Sequence, residues 1–147
     1  MERAFAEAEA AAARGEVPVG AVVYDLTTGT VLAAAGNEVE ARADPTAHAE
    51  LLAIRAAGAT LGSPRLPNAG LMVTLEPCAM CAAAIAFARL GALDFAATDP
   101  KGGGIWHGPR FFEQPTCHHK AITITQAPGA DRSAALLKAF FRARRKS

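Results

Sequence analysis

His48-Ala49-Glu50 and Pro77-Cys78-Ala79-Met80-Cys81 are the clusters of this chain whose residue types could do chemistry. Together they offer one imidazole, two thiols and a carboxylate. An imidazole and two thiolates are three zinc ligands, and three protein ligands leave the fourth tetrahedral position for water, as in a catalytic rather than a structural zinc site. Glu50 is then placed to move protons between that water and a substrate. Cys78 and Cys81 are three apart, so on a helix they would share a face and bind one ion. At a helix N-terminus both thiols are favoured as thiolates, the ligating form. His48 and Glu50 are two apart and would not share a face within a regular helix, yet in a first turn both can reach a site at the helix end. The expected centre is one Zn2+ per chain held by His48, Cys78 and Cys81, with Glu50 as the catalytic proton carrier. A closed structural zinc would need a fourth ligand from Cys117, His118 or His119, and would leave Glu50 without a task.

The elements that must position these groups follow from pattern and punctuation. Residues 2–14 read as an amphipathic helix ended by Gly15. Val19 to Tyr24 and Thr30 to Ala35 read as strands of a hairpin around Asp25 and Gly29. A loop leads to Asp44-Pro45 and a helix from Thr46 to Ala57, with His48 and Glu50 near its start. Gly70 to Leu75 reads as a strand, and Pro77 opens a helix running to Leu90. Ala92 to Ala97 is another strand, and Lys101 to His119 is rich in Gly, Pro and aromatic residues with little periodicity. Ile122 to Gln126 reads as the last strand and Arg132 to Arg145 as the closing helix. Alternating strands and helices predict a single layered α/β domain over residues 1–147.

Composition narrows the class. With 147 residues, 51% hydrophobic and 20% charged, the chain fits one soluble globular domain. Three cysteines do not make a disulfide framework, and a reducing cytoplasm suits them. Met1 to Arg14 carries Glu2, Glu7 and Glu9 among alanines, unlike a signal peptide. No apolar run approaches the roughly 20 residues of a membrane span. The net charge of +1 conceals polarity: residues 132–147 hold six cations and no acid, and the rest hold nine cations against 14 acids. Such a basic helix could grip a phosphate backbone, or simply be a solvated helix end whose cations suit the C-terminal dipole.

His48-x-Glu50 with Pro77-Cys78-x-x-Cys81 is the signature of the zinc-dependent nucleobase deaminases. The chain resembles that cytidine/deoxycytidylate deaminase superfamily, and most closely its tRNA-specific adenosine deaminases. The resemblance rests on Gly15-Glu16-Val17-Pro18-Val19-Gly20-Ala21-Val22, Gly36-Asn37, Asp44-Pro45-Thr46-Ala47-His48-Ala49-Glu50, and Val73-Thr74-Leu75-Glu76-Pro77-Cys78-Ala79-Met80-Cys81. It extends to Asp99-Pro100-Lys101 and to Ala135-Leu136-Leu137-Lys138-Ala139-Phe140-Phe141-Arg142. It implies a three-layer α/β/α cytidine-deaminase-like sandwich with a mixed central sheet, in a cytoplasmic homodimer with the active site near the subunit interface. It further implies hydrolytic deamination of adenosine to inosine at the wobble position of a tRNA anticodon stem-loop. By the same resemblance Asn37 hydrogen-bonds the substrate, Val17 and Pro18 wall the base pocket, the backbone around Ala49 and Cys78 contacts the base, and Asp99 and Lys101 flank it.

Residues 102–119 depart from that pattern. Trp106, Phe111 and Phe112 there could stack on an extruded base or serve as packing. Two other readings stay open: a deaminase of a free base or nucleoside (guanine, adenine or cytosine), with 102–119 as its lid, and a noncatalytic zinc-binding module. The RNA reading assigns backbone contacts to Lys101, Arg142, Arg144 and Arg145.

Overall fold

The computed structural model describes residues 1–120 and 123–146. Its helices are α1 (Glu2–Ala13), α2 (Val39–Arg42), α3 (Ala49–Leu61), α4 (Ala79–Phe87) and α5 (Ala130–Lys146). Strands β1 (Gly20–Asp25) and β2 (Val31–Gly36) form the expected hairpin. Its turn is held by Asp25 Oδ1, which accepts the N–H groups of Thr27 and Thr28 at 2.8 and 2.9 Å, an Asx turn. β1 also pairs antiparallel with β3 (Ala69–Leu75), and β3, β4 (Ala92–Ala97) and β5 (Thr123–Gln126) run parallel. The sheet is therefore mixed, in the order β2-β1-β3-β4-β5. Ile122, the expected first residue of the last strand, lies outside the described residues.

Side chains alternate across the sheet and define two layers of packing. Ala21 and Val23 of β1, Leu71 and Val73 of β3 and Leu93 and Phe95 of β4 pack with Ala49, Ala53 and Ala57 of α3 and Ala82 and Ile85 of α4. The opposite face receives α1, whose buried stripe is Ala4, Phe5, Ala8 and Ala11, with α5 beside it. Helices on both faces complete the α/β/α sandwich. Alanine lets α1 lie almost backbone-to-backbone on β1: a Cβ built on Gly20 would overlap the Ala4 carbonyl and stand 2.6 Å from the Ala8 nitrogen.

Three boundaries differ from expectation for identifiable reasons. α2 falls in the expected loop; its N-terminal N–H groups, on Glu40 and Ala41, are accepted by the distant Glu16 carboxylate at 3.0 and 2.8 Å. α3 starts at Ala49 rather than Thr46, because Asp44 Oδ1 draws the Thr46 N–H and hydroxyl into a turn, and it runs across Gly58 to a left-handed Gly62. α4 starts at Ala79 rather than Pro77 and stops at Phe87, just before Arg89 at φ +61°.

The register brings the functional segments together. Gly20 pairs with Gly36, Ala21 with Val73, and Leu75 with Ala97. Residues 17–19, 37, 76–78 and 98–99 thus gather at one end of the sheet, the carboxyl end of its parallel strands, where open α/β sheets bind ligands. Gly20→Ala should cost about 2–3 kcal/mol through overpacking, read as a lower urea midpoint at unchanged m-value.

Candidate active site

His48 and Cys78 are the N-caps of α3 and α4, both in extended backbone conformation. The expectation that Cys78 and Cys81 share a helix face is corrected here: Cys78 stands outside the helix, and Cys81 is the third residue within it. The chain around Pro77 stays extended because Glu76 N–H bonds the Ala97 carbonyl and Gly104 N–H bonds the Pro77 carbonyl, both at 2.8 Å. The His48 side chain makes no capping bond to its own helix. It turns to the two sulfurs instead. His48 Nδ1 lies 3.6 Å from Cys78 Sγ and 3.6 Å from Cys81 Sγ, and the three donor atoms lie within 4.8 Å of one another. Bonds of about 2.3 Å to sulfur and 2.0 Å to nitrogen in a tetrahedron separate donors by about 3.5–3.8 Å. The donor set fits zinc.

The site's charges follow from its contacts. A hydrogen bond from the Cys81 thiol, helped by the His48 ring, holds Cys78 down to about 4 against its burial. The same bond, then burial, pushes Cys81 up. The Cys78 contact also raises His48. The Glu50 carboxyl is buried beside these donors, and desolvation raises it to about 7 in spite of the opposing backbone N–H and His48.

Asn37 is built into the scaffold. Its Oδ1 accepts the Ala49 N–H at 2.7 Å, its own N–H bonds the Val19 carbonyl at 3.2 Å, and its carbonyl accepts the Arg14 guanidinium at 3.2 Å. It thereby serves the first orphan donor of α3, the task His48 does not perform.

A cavity of about 320 Å³ opens over the donors, at the small end for ligand sites. Val17, Asn37, His48, Glu50, Cys78 and Asp99 line it, as does Arg144 from α5. Pro18 and Ala49 are fully buried behind the wall, and Lys101 is exposed outside it. Arg144 donates to the Gly15 carbonyl at 2.8 Å and stacks 4.8 Å from the Phe140 ring centroid. Arg142 and Arg145 line a separate depression with Leu137 and Phe141.

The remaining candidates separate from the site. Cys117 donates to the His119 carbonyl and lines a depression near the far end of α4, and His119 Nε2 contacts the Leu90 carbonyl. Among the described residues, His48, Cys78 and Cys81 are the one group of three such donors close enough to hold a metal, so no fourth ligand closes the site. Trp106 packs edge-on to Phe95 with centroids 4.7 Å apart while staying 37% exposed, and Phe112 is buried against Phe111. Sequence reasoning gave no role to two buried carboxylates on the cavity wall, Glu16 and Glu76. An acid embedded between apolar residues, as in Leu75-Glu76-Pro77, was their only signal.

The model of the MafB19-like deaminase family matches residues 1–145. A tRNA-specific adenosine deaminase of Agrobacterium fabrum is 51% identical over 145 residues, spanning 99% of this chain and 93% of that protein. A solved tRNA:A34 deaminase, studied for A-to-I editing at the wobble position, superposes with a TM-score of 0.89 at 50% identity, over 93% of this chain and 97% of its own. A guanine deaminase from Nitrosomonas europaea shares the fold, with a TM-score of 0.81 at 24% identity, over 95% of this chain and 81% of its own.

Metal analysis should find about one zinc per chain, by the three-donor set. Cys78→Ser and Cys81→Ser should each lose the metal and unfold at lower temperature. Glu50→Ala, which removes no donor, should keep it.

Proposed function

Since the chain belongs to the MafB19-like deaminase family, on the branch of the tRNA-specific adenosine deaminases, we propose that it hydrolyses adenosine to inosine at the wobble position of a tRNA anticodon loop. The observation that carries this reading is the buried Glu50 carboxyl beside a three-donor metal cage, at the base of a cavity of single-base scale. His48, Cys78 and Cys81 would hold the zinc. When bound, the metal supplies Lewis acidity that makes a water nucleophilic near neutral pH.

The chain's own residues do the rest. Glu50, raised toward neutrality by burial, relays the two protons of the water, one to ring nitrogen N1 and one to the amino group, as the water oxygen bonds the C6 carbon and the carbon–nitrogen bond breaks to release ammonia. The Asn37 amide has its carbonyl oxygen committed to Ala49, and its Nδ2 donors serve the substrate. Val17 forms an apolar wall for the base, with Pro18 packed behind it. Asp99 flanks the base, and the backbone at Ala49 and Cys78 lies within reach of it. A single-stranded loop offers an unstacked adenosine at small extrusion cost.

The basic end of α5 suits the anticodon phosphates: Arg144 borders the cavity, and Arg142 and Arg145 continue along the helix. The reading adds Lys101, exposed between Asp99 and Gly102 of the cavity lining. The reading includes a homodimer in the cytoplasm, supported by Phe87 on α4, a large apolar side chain left 74% exposed. No helix of the described residues is long and apolar enough to cross a membrane.

Ammonia release should follow addition of an anticodon stem-loop with adenosine at the wobble position, and Glu50→Ala should abolish it. Turnover of free guanine, adenine or cytosine in place of the stem-loop would favour a base-salvage enzyme. Replacing Arg142, Arg144 and Arg145 together with glutamine should flatten the salt dependence of stem-loop binding by roughly 2 in logarithmic slope. Phe87→Asp should shift the sedimentation coefficient from dimer to monomer.

A further inference from the structure

Glu76 joins β3 to Cys78, with a side chain wholly withdrawn from solvent. Its Oε2 accepts three consecutive backbone N–H groups, those of Ile105, Trp106 and His107, at 3.1, 2.9 and 3.1 Å. Its Oε1 accepts the Asp99 N–H at 3.0 Å and faces His107 Nδ1 at 2.8 Å. A carboxylate only accepts, so the His107 ring carries its proton on Nδ1. Successive amides converging on one oxygen form an anion-binding nest, here filled by the chain's own carboxylate. The glycines around it have no room for side chains: a Cβ on Gly103 would collide with the Glu76 carboxylate, and one on Gly104 would lie 2.6 Å from the Ala79 nitrogen.

With five donors on two oxygens, Glu76 is occupied as an acceptor and is poorly suited to carry protons for the reaction. What it does is shape the segment 99–107. Asp99 and Gly102 of that segment line the cavity together with Val17 and Asn37, and Gly104 holds the Pro77 carbonyl next to the ligand Cys78. We propose that Glu76 is a positioning residue, whose carboxylate templates residues 99–107 into a preformed substrate wall of the cavity. The divergent stretch following Lys101 thus meets the cavity at Gly102, and the carboxylate holds 105–107. The inference rests on the deaminase reading only for the identity of the substrate.

The test combines stem-loop kinetics with amide hydrogen exchange of zinc-loaded Glu76→Gln. Glutamine keeps the volume but replaces one acceptor by a donor facing other donors. The amides of residues 105–107 should then exchange faster by about tenfold or more while those of β3 keep their protection, since a buried bond network of this kind commonly carries at least that factor. Zinc should stay at one per chain, KM for the stem-loop should rise about tenfold, and kcat should hold within about threefold, the pattern of lost substrate positioning. Unchanged exchange at 105–107 would overturn the proposal whatever the substrate, because that readout needs none. A fall in kcat at constant KM would also overturn it, by giving Glu76 a part in the chemical step. Failure of the wild type to turn over the stem-loop would instead count against the tRNA reading, and exchange alone would then decide the role of Glu76. Should Glu76→Gln not fold, His107→Ala withdraws one donor from the same nest. It should raise KM and speed exchange at Trp106 in the same direction, and an unchanged value of both overturns the proposal.

Discussion

The meeting of the α3 and α4 N-termini, which leaves 3.6 Å between His48 Nδ1 and the sulfurs of Cys78 and Cys81, is the constraint to which the rest of the structure answers. A helix start carries orphan N–H donors and partial positive charge. A cap side chain ordinarily satisfies one of those donors. Here the His48 side chain is diverted to the two sulfurs, so the scaffold must meet the start of α3 by other means. Asn37 does so for α3 from the end of the hairpin. The positive ends of both helices remain aimed at the cage, where they favour thiolate.

A second feature of the design is the use of buried carboxylates as backbone templates. Glu16 gathers two N–H groups of α2, and Glu76 gathers the amides of 99–107. Burial alone raises a carboxyl, but the donors around Glu76 outweigh it and hold the group below its ordinary range. Glu50 shows the contrast. It too is buried, yet its environment leaves desolvation dominant and brings it to about 7. Of the buried glutamates on the cavity wall, Glu16 and Glu76 thus hold backbone N–H groups, while Glu50 is left to desolvation.

The legible and illegible parts of this molecule divide along the same line. Metal chemistry restricts residue type and spacing, so His48, Glu50, Cys78 and Cys81 stood out in the sequence. Apolar runs bounded by turn residues gave the strands, while the apolar richness of 47–57 and 79–90 suited a core or an interface equally. The cap position of Cys78 was not legible, because bonds from Ala97 and Gly104 keep the chain extended past Pro77. α2 is four residues long, too short for a periodic pattern, and is satisfied by a carboxylate far away in sequence. The partners of Glu76 are main-chain amides, which leave little mark on residue identity beyond Gly102-Gly103-Gly104. Of the rings read as stacking or packing, Phe112 is buried against Phe111, whereas Trp106 touches Phe95 and keeps 37% of its surface exposed.

X-ray absorption at the zinc edge of the metal-loaded protein probes the convergence of the two helix caps most directly. The account predicts a four-coordinate shell of two sulfurs at about 2.3 Å and two lighter atoms at about 2.0–2.1 Å, one of them from His48. A third sulfur, or loss of the two-sulfur shell on retaining only one of Cys78 and Cys81 without loss of metal, would contradict it.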